Sequence, residues 1–440
     1  MPEGRVDQVR LARLRKALKP IVFLTSGTRG DVQPIAALAR GMQDAGRTVR
    51  LVAPPAFRNL VEAHSIPYAE LQGNPSELLA NPGRQSALTF NDNPLTILHA
   101  VQGFLREARP VYSQMISNGW KVSRDASALV IGLPTLWGTS ISESLRIPCI
   151  GAFLQPVTPT VQFPSALWPT SLRLGRFYNR LTYWLSSRAL FLPWRAVINN
   201  WRTGTLGLSP LPPLHDFLDS LTAILYGFSE TVVHAPSDWQ GSNFITGYWM
   251  PKQEDVAPTD DLKEFLGNGE PPFYFGFGSP GMHSAVSLMK VITKAIDQLK
   301  IRAVIAMPGE TSHLVPKSPE VYLLTENVPH TWLFPRMAGL VHHGGAGTTA
   351  AAIRSGIPSL VTPLAVDQFF WGERVCALGA GPPPIPQRSM TPKKLIYAIK
   401  GMQAEGIREA SRLLGDKLKA EEGIEVAVHR LVSLLEDRSA

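Results

Sequence analysis

Cysteine is nearly missing from this chain: Cys149 and Cys376 are the only two in 440 residues. That usage excludes a disulfide framework, and two thiols alone do not build a structural zinc site. A reducing compartment fits it. Long apolar runs are missing too. The nearest to a membrane span, residues 126–142, is broken by Gly132, Pro134 and Gly138 and falls short of the roughly 20 residues a span needs. The opening stretch, MPEGRVDQVRLARLRKALKP, holds no apolar core of the kind a secretory signal requires. The expectation is a cytoplasmic protein, at most peripheral on a membrane surface.

Acidic residues are missing from one long stretch. No Asp or Glu occurs from Ser144 to His215, whereas Arg146, Arg173, Arg176, Arg180, Arg188, Arg195 and Arg202 lie there. The same stretch carries Trp168, Phe177, Tyr178, Tyr183, Trp184, Phe191, Trp194 and Trp201. Arginines among aromatics can bind nucleic acid, but these are widely spaced and no recognition motif accompanies them. An apolar ligand site near a membrane surface accounts for the composition better, and helices with basic outer faces would also produce it. The rest is a globular chain with a large core: 44% hydrophobic, 18% charged, net charge +8.

What is present reads as strand and helix in alternation. PIVFLTS is a short apolar run of the kind buried on both faces of a sheet, QPIAALARGMQDAG has helical spacing with Gly46 as its stop, and RTVRLVAPP is a second strand. That βαβ pattern recurs weakly through ASALVIGLP, WGTSISESLRI and PCIGAFLQP, then begins afresh after Pro271 with PPFYFGFGS. The expected architecture is α/β: two doubly wound domains facing a ligand cleft. The boundaries expected are a basic extension (1–19), a first domain (20–240), a linker (241–262), a second domain (263–400) and terminal helices (401–440) packing back on the first domain. Residues 5–19 could form a helix with a stripe of Val6, Val9, Leu11, Leu14 and Leu18, suited to an anionic membrane surface or to docking on the domain.

VHHGGAGTTAA is the strongest local signal. An apolar strand ends in two histidines, turns on glycines and opens an Ala-rich helix. Backbone N–H groups and the positive end of the helix dipole then converge on one point, which suits a pyrophosphate, and Thr348 and a histidine add side-chain donors. The spacing is neither a P-loop nor Gly-x-Gly-x-x-Gly. Downstream, Asp367 and Gln368 follow the next strand, where an adjacent carboxylate and amide suit sugar hydroxyls; a helix N-cap by Asp367 explains the carboxylate equally well. In TSGTRGDVQP, Asp31 is either a helix cap or a carboxylate aimed at something other than a phosphate.

TSGTRGDVQPIAALARGM, FLQPVTPTVQFP, ITGYWM, PPFYFGFGS, LGAGPPPIP and above all the block from Asn327 to Val375 occur in order. Together they resemble the sterol 3-β-glucosyltransferase branch of the UDP-glycosyltransferases, from about residue 20 to about 400. The resemblance implies a GT-B fold, an inverting and metal-independent transfer without a cofactor, a nucleotide-sugar donor and a lipophilic acceptor alcohol. It makes Asp31 the general base and places Thr28 and Arg29 beside the donor. It sets Asn327, Val328 and His330 around the nucleoside. Ser279, His343, Ala346, Gly347 and Thr348 hold the pyrophosphate, and Asp367 and Gln368 the sugar hydroxyls. Of the paired histidines, His343 is expected at the phosphate and His342 at the end of the strand. Gln155, Pro156, Trp168, Phe177 and Trp184 are the expected acceptor-binding residues, lining an apolar pocket in the first domain. Arg29 is expected to keep Asp31 ionised.

The chain departs from the plant secondary-product glycosyltransferases, where a histidine base stands in the first turn and a glutamate takes the ribose. Asp31 replaces the former, and the latter falls at about Ala351. The sequence reads PGMH after Ser279 where relatives often carry Met and acidic residues. Three other classes bear weighing: a Rossmann oxidoreductase, which would want Gly-x-Gly-x-x-Gly after the first strand and an acidic residue ending the second, neither of which occurs; a GT-B sugar-nucleotide epimerase, which would need more acid–base groups at the sugar; and a non-catalytic nucleotide-sugar or lipid binder, which could dispense with Asp31.

Overall fold

Runs such as IVFL, ALVI, CIGAF and FYFG have no polar face, so they are stable only where helices cover both sides of a parallel sheet. The computed structural model places them so, and describes residues 19–75, 94–168, 172–251, 258–278, 282–307, 309–326 and 328–436. The first half runs β1 (Ile21–Leu24), α1 (Arg29–Asp44), β2 (Val49–Ala53), α2 (Arg58–Ala63), β3 (Tyr68–Glu70), α3 (Pro94–Ser123), β4 (Ala128–Ile131) and α4 (Gly138–Leu145). It continues through β5 (Cys149–Phe153), α5 (Arg176–Phe191), α6 (Arg195–Trp201), β6 (Ala223–Tyr226) and β7 (Asn243–Ile245). The second half runs α7 (Asp260–Gly267), β8 (Phe273–Gly276), α8 (Met282–Leu299), β9 (Ala303–Ala306), β10 (Val321–Leu324), α9 (His330–Leu333), β11 (Gly339–His342) and α10 (Ala346–Ser355). It ends with β12 (Ser359–Val361), α11 (Gln368–Ala377), α12 (Pro392–Met402), α13 (Glu405–Lys419) and α14 (Gly423–Glu436).

The strands form two all-parallel sheets, ordered β3-β2-β1-β4-β5-β6-β7 and β10-β9-β8-β11-β12. In each, the winding direction reverses at one place: between β1 and β4, and between β8 and β11. Ligands of doubly wound sheets bind beyond the carboxyl ends of the strands at that reversal. The loops so marked follow β1 and β11, which are TSGT and HGG in the sequence. This is the α/β architecture of two doubly wound units expected above.

Two features depart from the sequence boundaries. The segment expected as a linker, 241–262, begins with a strand: Asn243–Ile245 is β7, the edge of the first sheet. It ends inside α7, whose start Thr259 caps by accepting from Leu262 N–H. The helices after residue 401 also divide their packing. α14 lies on α1, so close that a Cβ on Gly41 would meet Ile424 Cγ2 at 2.6 Å, and Ala427 and Leu431 are buried in the first domain's core. α13 lies on α10, and its Leu414 and Leu418 join Phe228 of the first half and Trp371 of the second in one apolar cluster. That cluster spans the two halves of the chain. The helix expected over residues 5–19 lies outside the described residues, and no described helix is long and apolar enough to cross a membrane.

Candidate functional site

The first wall of the site is the turn after β1. Thr28 is the N-cap of α1 and Asp31 its third residue. Asp31 Oδ2 accepts from Thr28 N–H at 2.8 Å and from Thr28 Oγ1 at 3.0 Å, so the carboxylate closes a capping box. The turn requires Gly27, with φ at +107°; a Cβ there would also lie 2.5 Å from Asp31 Oδ2. The cap therefore exists, but it employs one carboxylate oxygen. Burial raises the Asp31 carboxyl above its usual range, while the Thr28 backbone and hydroxyl bonds lower it. Arg29 is not what holds its charge, contrary to expectation: the Arg29 guanidinium Nε donates to Gln33 Oε1 at 3.0 Å.

The second wall is the turn after β11. His342 ends that strand, fully buried, with Nδ1 accepting from Gly344 N–H at 3.2 Å. Burial first, then His343 and His330, lower it to about 3, so it stays neutral. His343 lies beyond the strand, with Nδ1 unpartnered among the described residues. Burial lowers its pKa as well, so it offers a neutral imidazole. Gly345 then caps α10, leaving the first-turn amides of Ala346, Gly347 and Thr348 without intrahelical acceptors.

The two walls meet head to head. A Cβ on Gly347 would come 4.0 Å from Gly30 Cα, so the N-termini of α1 and α10 point into the same space. A cavity of about 250 Å³ opens there, lined by Arg29, Val328, His330, Ala346, Gly347 and Thr348 among others. It adjoins a second of about 280 Å³, bounded by His343 and Glu326 and sharing Val328, His330 and Thr348 with the first. His330 stacks on Phe334 at 4.3 Å between ring centroids. Burial, then His343 and Arg29, lower it to about 4. Two convergent helix dipoles and neutral imidazole donors suit a diphosphate.

Asp367 settles differently from a cap. Its side chain makes no capping bond to α11; Oδ2 accepts instead from Gln155 Nε2 at 3.0 Å and from Trp371 Nε1 at 3.1 Å. The Gln155 bond crosses from the loop after β5 to the second domain. Burial raises Asp367 to about 6, against the Gln155 and Trp371 bonds, and the charge of Asp31 raises it further. Gln368 Oε1 accepts from Leu364 N–H at 2.8 Å and Ala365 N–H at 3.2 Å, which fixes the amide and leaves its NH₂ side as the donor.

The aromatics expected to line an acceptor pocket are divided. Pro156 is buried behind Gln155 and Trp168 is half-buried, but Phe177 is 83% exposed and Trp184 50% exposed. Both stand on the outer face of α5, because its inner face is built from Asn179, Thr182, Tyr183 and Ser186. Tyr183, Ser186 and Leu190 of the helix, with Leu133, Val157, Leu167 and Phe217, bound a small cavity in the first domain. Ser279 and Asn327 lie outside the described residues. The sequence reading missed Glu326, and also Tyr248 and Trp249, which line the first cavity from the ITGYWM stretch. Although ITGYWM belongs to the family resemblance, nothing in its residue types marked it as cavity-lining; its place follows from β7, which delivers that stretch to the cleft.

Residues 21–164 match the glycosyltransferase family 28 N-terminal domain, and residues 290–434 match the erythromycin biosynthesis protein CIII-like C-terminal domain. The chain is 33% identical to one sterol 3-beta-glucosyltransferase of Arabidopsis thaliana, over 93% of this chain and 64% of that protein. It is 31% identical to another from the same plant, over 93% of this chain and 67% of the relative. A sterol 3-beta-glucosyltransferase of Pichia angusta is 30% identical over 94% of this chain, which spans 33% of the fungal protein. The chain thus spans about two thirds of the plant relatives and a third or less of the fungal ones. Among solved structures, the spinosyn rhamnosyltransferase SpnG has a TM-score of 0.62 at 18% identity, covering 95% of this chain and 100% of the other. The calicheamicin glycosyltransferase CalG4 has a TM-score of 0.66 at 15% identity, covering 95% and 98%. These share the GT-B fold of two facing Rossmann-like domains.

Proposed function

This chain belongs to the sterol 3-beta-glucosyltransferase family of glycosyltransferases, and from that premise we propose that it moves a hexose, glucose from UDP-glucose, to the hydroxyl of a lipophilic alcohol with inversion and without a metal. The observation that supports the reading is the approach of α1 and α10 at Gly30 and Gly347, beside a cavity lined by Arg29 and Gly30 from one domain and by Ala346, Gly347 and Thr348 from the other.

In this reading the acceptor hydroxyl attacks the anomeric carbon from the face opposite the nucleotide. The C–O bond to the acceptor forms, the bond to the β-phosphate oxygen breaks, and UDP leaves with that electron pair. Asp31 takes the hydroxyl proton through the oxygen that Thr28 does not engage. Burial raises its pKa, which strengthens it as a base. The amides of Ala346, Gly347 and Thr348, the Thr348 hydroxyl and the neutral His343 imidazole stabilise the charge that develops on the diphosphate, a preorganised electrostatic role. Val328 and His330 hold the nucleoside side, and Arg29 and Thr28 flank the donor. Asp367 accepts from sugar hydroxyls and Gln368 donates to them. Gln155, Pro156 and Trp168 border the acceptor, which is a sterol, a terpenoid or a polyketide alcohol.

The test is UDP release from UDP-glucose by the purified chain, with a panel of sterols, diterpene alcohols and phenolic polyketides, in the presence of EDTA. Acceptor-dependent release of UDP and appearance of the glucoside support the reading. Binding of UDP-glucose with no release for any acceptor would turn it toward a non-catalytic binder.

A further inference from the structure

Helix α5 is turned inside out relative to an ordinary surface helix. Its buried residues are Asn179, Thr182, Tyr183, Ser186 and Phe191, mostly polar. Its solvent side carries Phe177 at 83% exposure, Leu181 at 38% and Trp184 at 50%. Phe177, Leu181 and Trp184 fall at helical spacing on one stripe. Leu172 and Leu174, just before the helix, are 57% and 66% exposed, and Leu192, just after it, 50%. Leu214, 67% exposed, is drawn alongside because Arg188 donates to Leu214 O at 3.1 Å and His215 O at 3.2 Å, with its guanidinium over the Trp184 ring. Scattered exposed leucines need no explanation; a continuous stripe of this kind marks an interaction site.

The charge around the stripe selects the partner. Arg173, Arg176 and Arg180 are exposed beside it, and no acidic residue occurs from Ser144 to His215. Two acids approach from other elements: Glu373 pairs with Arg173 of the rim at 3.4 Å, and Asp238, which senses the charge of Arg180, accepts from Thr160 Oγ1 at 2.6 Å and Val161 N–H at 2.9 Å, leaving Arg176 foremost for an anionic surface. A second copy of this chain would bring the same arginines against these in a two-fold contact, which like-charge repulsion opposes. A bilayer with anionic headgroups matches both parts, apolar stripe and basic rim.

We propose that the outer face of α5, with Leu172, Leu174 and Leu214, docks this protein on an anionic lipid bilayer. Phe177, Leu181 and Trp184 seat at the boundary between headgroups and acyl chains, and Arg176 and Arg180 meet lipid phosphates. The inner face of the same helix borders the first-domain cavity, where the hydroxyls of Tyr183 and Ser186 are buried without partners among the described residues. Docking would set that cavity one helix away from the membrane. This last consequence rests on the proposed lipophilic acceptor; the docking itself does not.

The experiment is flotation of the full chain with vesicles of phosphatidylcholine alone or mixed with phosphatidylglycerol, at low and high salt, without donor or acceptor. Wild-type protein is expected to float with the anionic vesicles and to be released by salt. The Phe177→Ser/Trp184→Ser and Arg176→Glu/Arg180→Glu variants are each expected to lose partitioning about tenfold or more. Both change exposed side chains, so thermal melts matching wild type confirm folding. Absence of wild-type binding, or equal binding by the variants, overturns the proposal. So does binding that survives both variants but disappears on deletion of residues 1–18, which would assign the contact to that segment. Self-association abolished by the first variant, with no vesicle binding, would assign the stripe to a second copy. Because no turnover is measured, failure here leaves the transferase reading standing, and the reverse holds as well.

Discussion

Gln155 Nε2 donates to Asp367 Oδ2 at 3.0 Å, joining the loop after β5 in the first domain to the start of α11 in the second. The bond lowers the pKa of a carboxyl that burial holds at about 6. Removing it in Gln155→Leu should raise that pKa further. Donor affinity, read by titration with UDP-glucose, should then fall away at a higher pH on the acid side than in wild type, since protonated Asp367 no longer accepts equally from sugar hydroxyls. An unchanged pH dependence would remove Asp367 from the sugar site.

The same carboxyl makes a stability prediction. A folded-state pKa of about 6 against 3.8 unfolded means that the native state holds the proton longer, so stability falls as pH rises from about 4 to about 6. Asp367→Asn removes that penalty. It should be more stable than wild type above pH ~6, by on the order of 3 kcal/mol, and no different below pH ~4. Calorimetry at both ends of that window checks it.

Thr28→Val keeps the shape of the turn but removes the hydroxyl that donates to Asp31 Oδ2. Because that bond lowers the Asp31 pKa, its loss should move the acid limb of the kcat/KM profile to higher pH. The variant should also lose about 1 kcal/mol of stability with its cap. A profile that does not move would mean that Asp31 is not the group titrating.

Gly27→Ala tests the turn from the other side. The added Cβ would sit 2.5 Å from Asp31 Oδ2 at a φ of +107°. Turnover should drop more than about tenfold through displacement of the carboxylate, at a cost in stability of about 1–2 kcal/mol. UDP affinity should hold, since the diphosphate cradle is on the other domain.

That separation of roles was only partly legible in the sequence. The strands and both Gly-rich turns could be read because apolar runs and glycines are local signals, and the turns proved to lie at the two points where the sheets reverse. Asp367 could not be assigned between cap and ligand, because the deciding partner, Gln155, is 212 residues away. β7 was read as linker because an edge strand of three residues, NFI, carries too little pattern to stand out. Phe177 and Trp184 were expected inside on their apolarity. α5 reverses that rule by burying Thr182, Tyr183 and Ser186 instead, and no local signal announces it.

His343→Ala should weaken UDP binding about tenfold, the worth of one hydrogen bond to a charged group, with little change in the pH of maximal turnover because the buried imidazole is already neutral. Calorimetric titration with UDP checks it. An unaffected affinity would return His343 to a packing role beside Gly278 and Gly345.

The most direct measurement is of Asp31→Asn, taking kcat for the responding acceptor and the affinity for UDP-glucose from the same preparation. The amide keeps the shape of the side chain and its place at Thr28 but cannot take a proton. A loss of about 10²- to 10⁴-fold in kcat with donor affinity preserved is the result this account predicts. Turnover close to wild type would contradict it, and with it the assignment of the carboxylate at the start of α1 as the base.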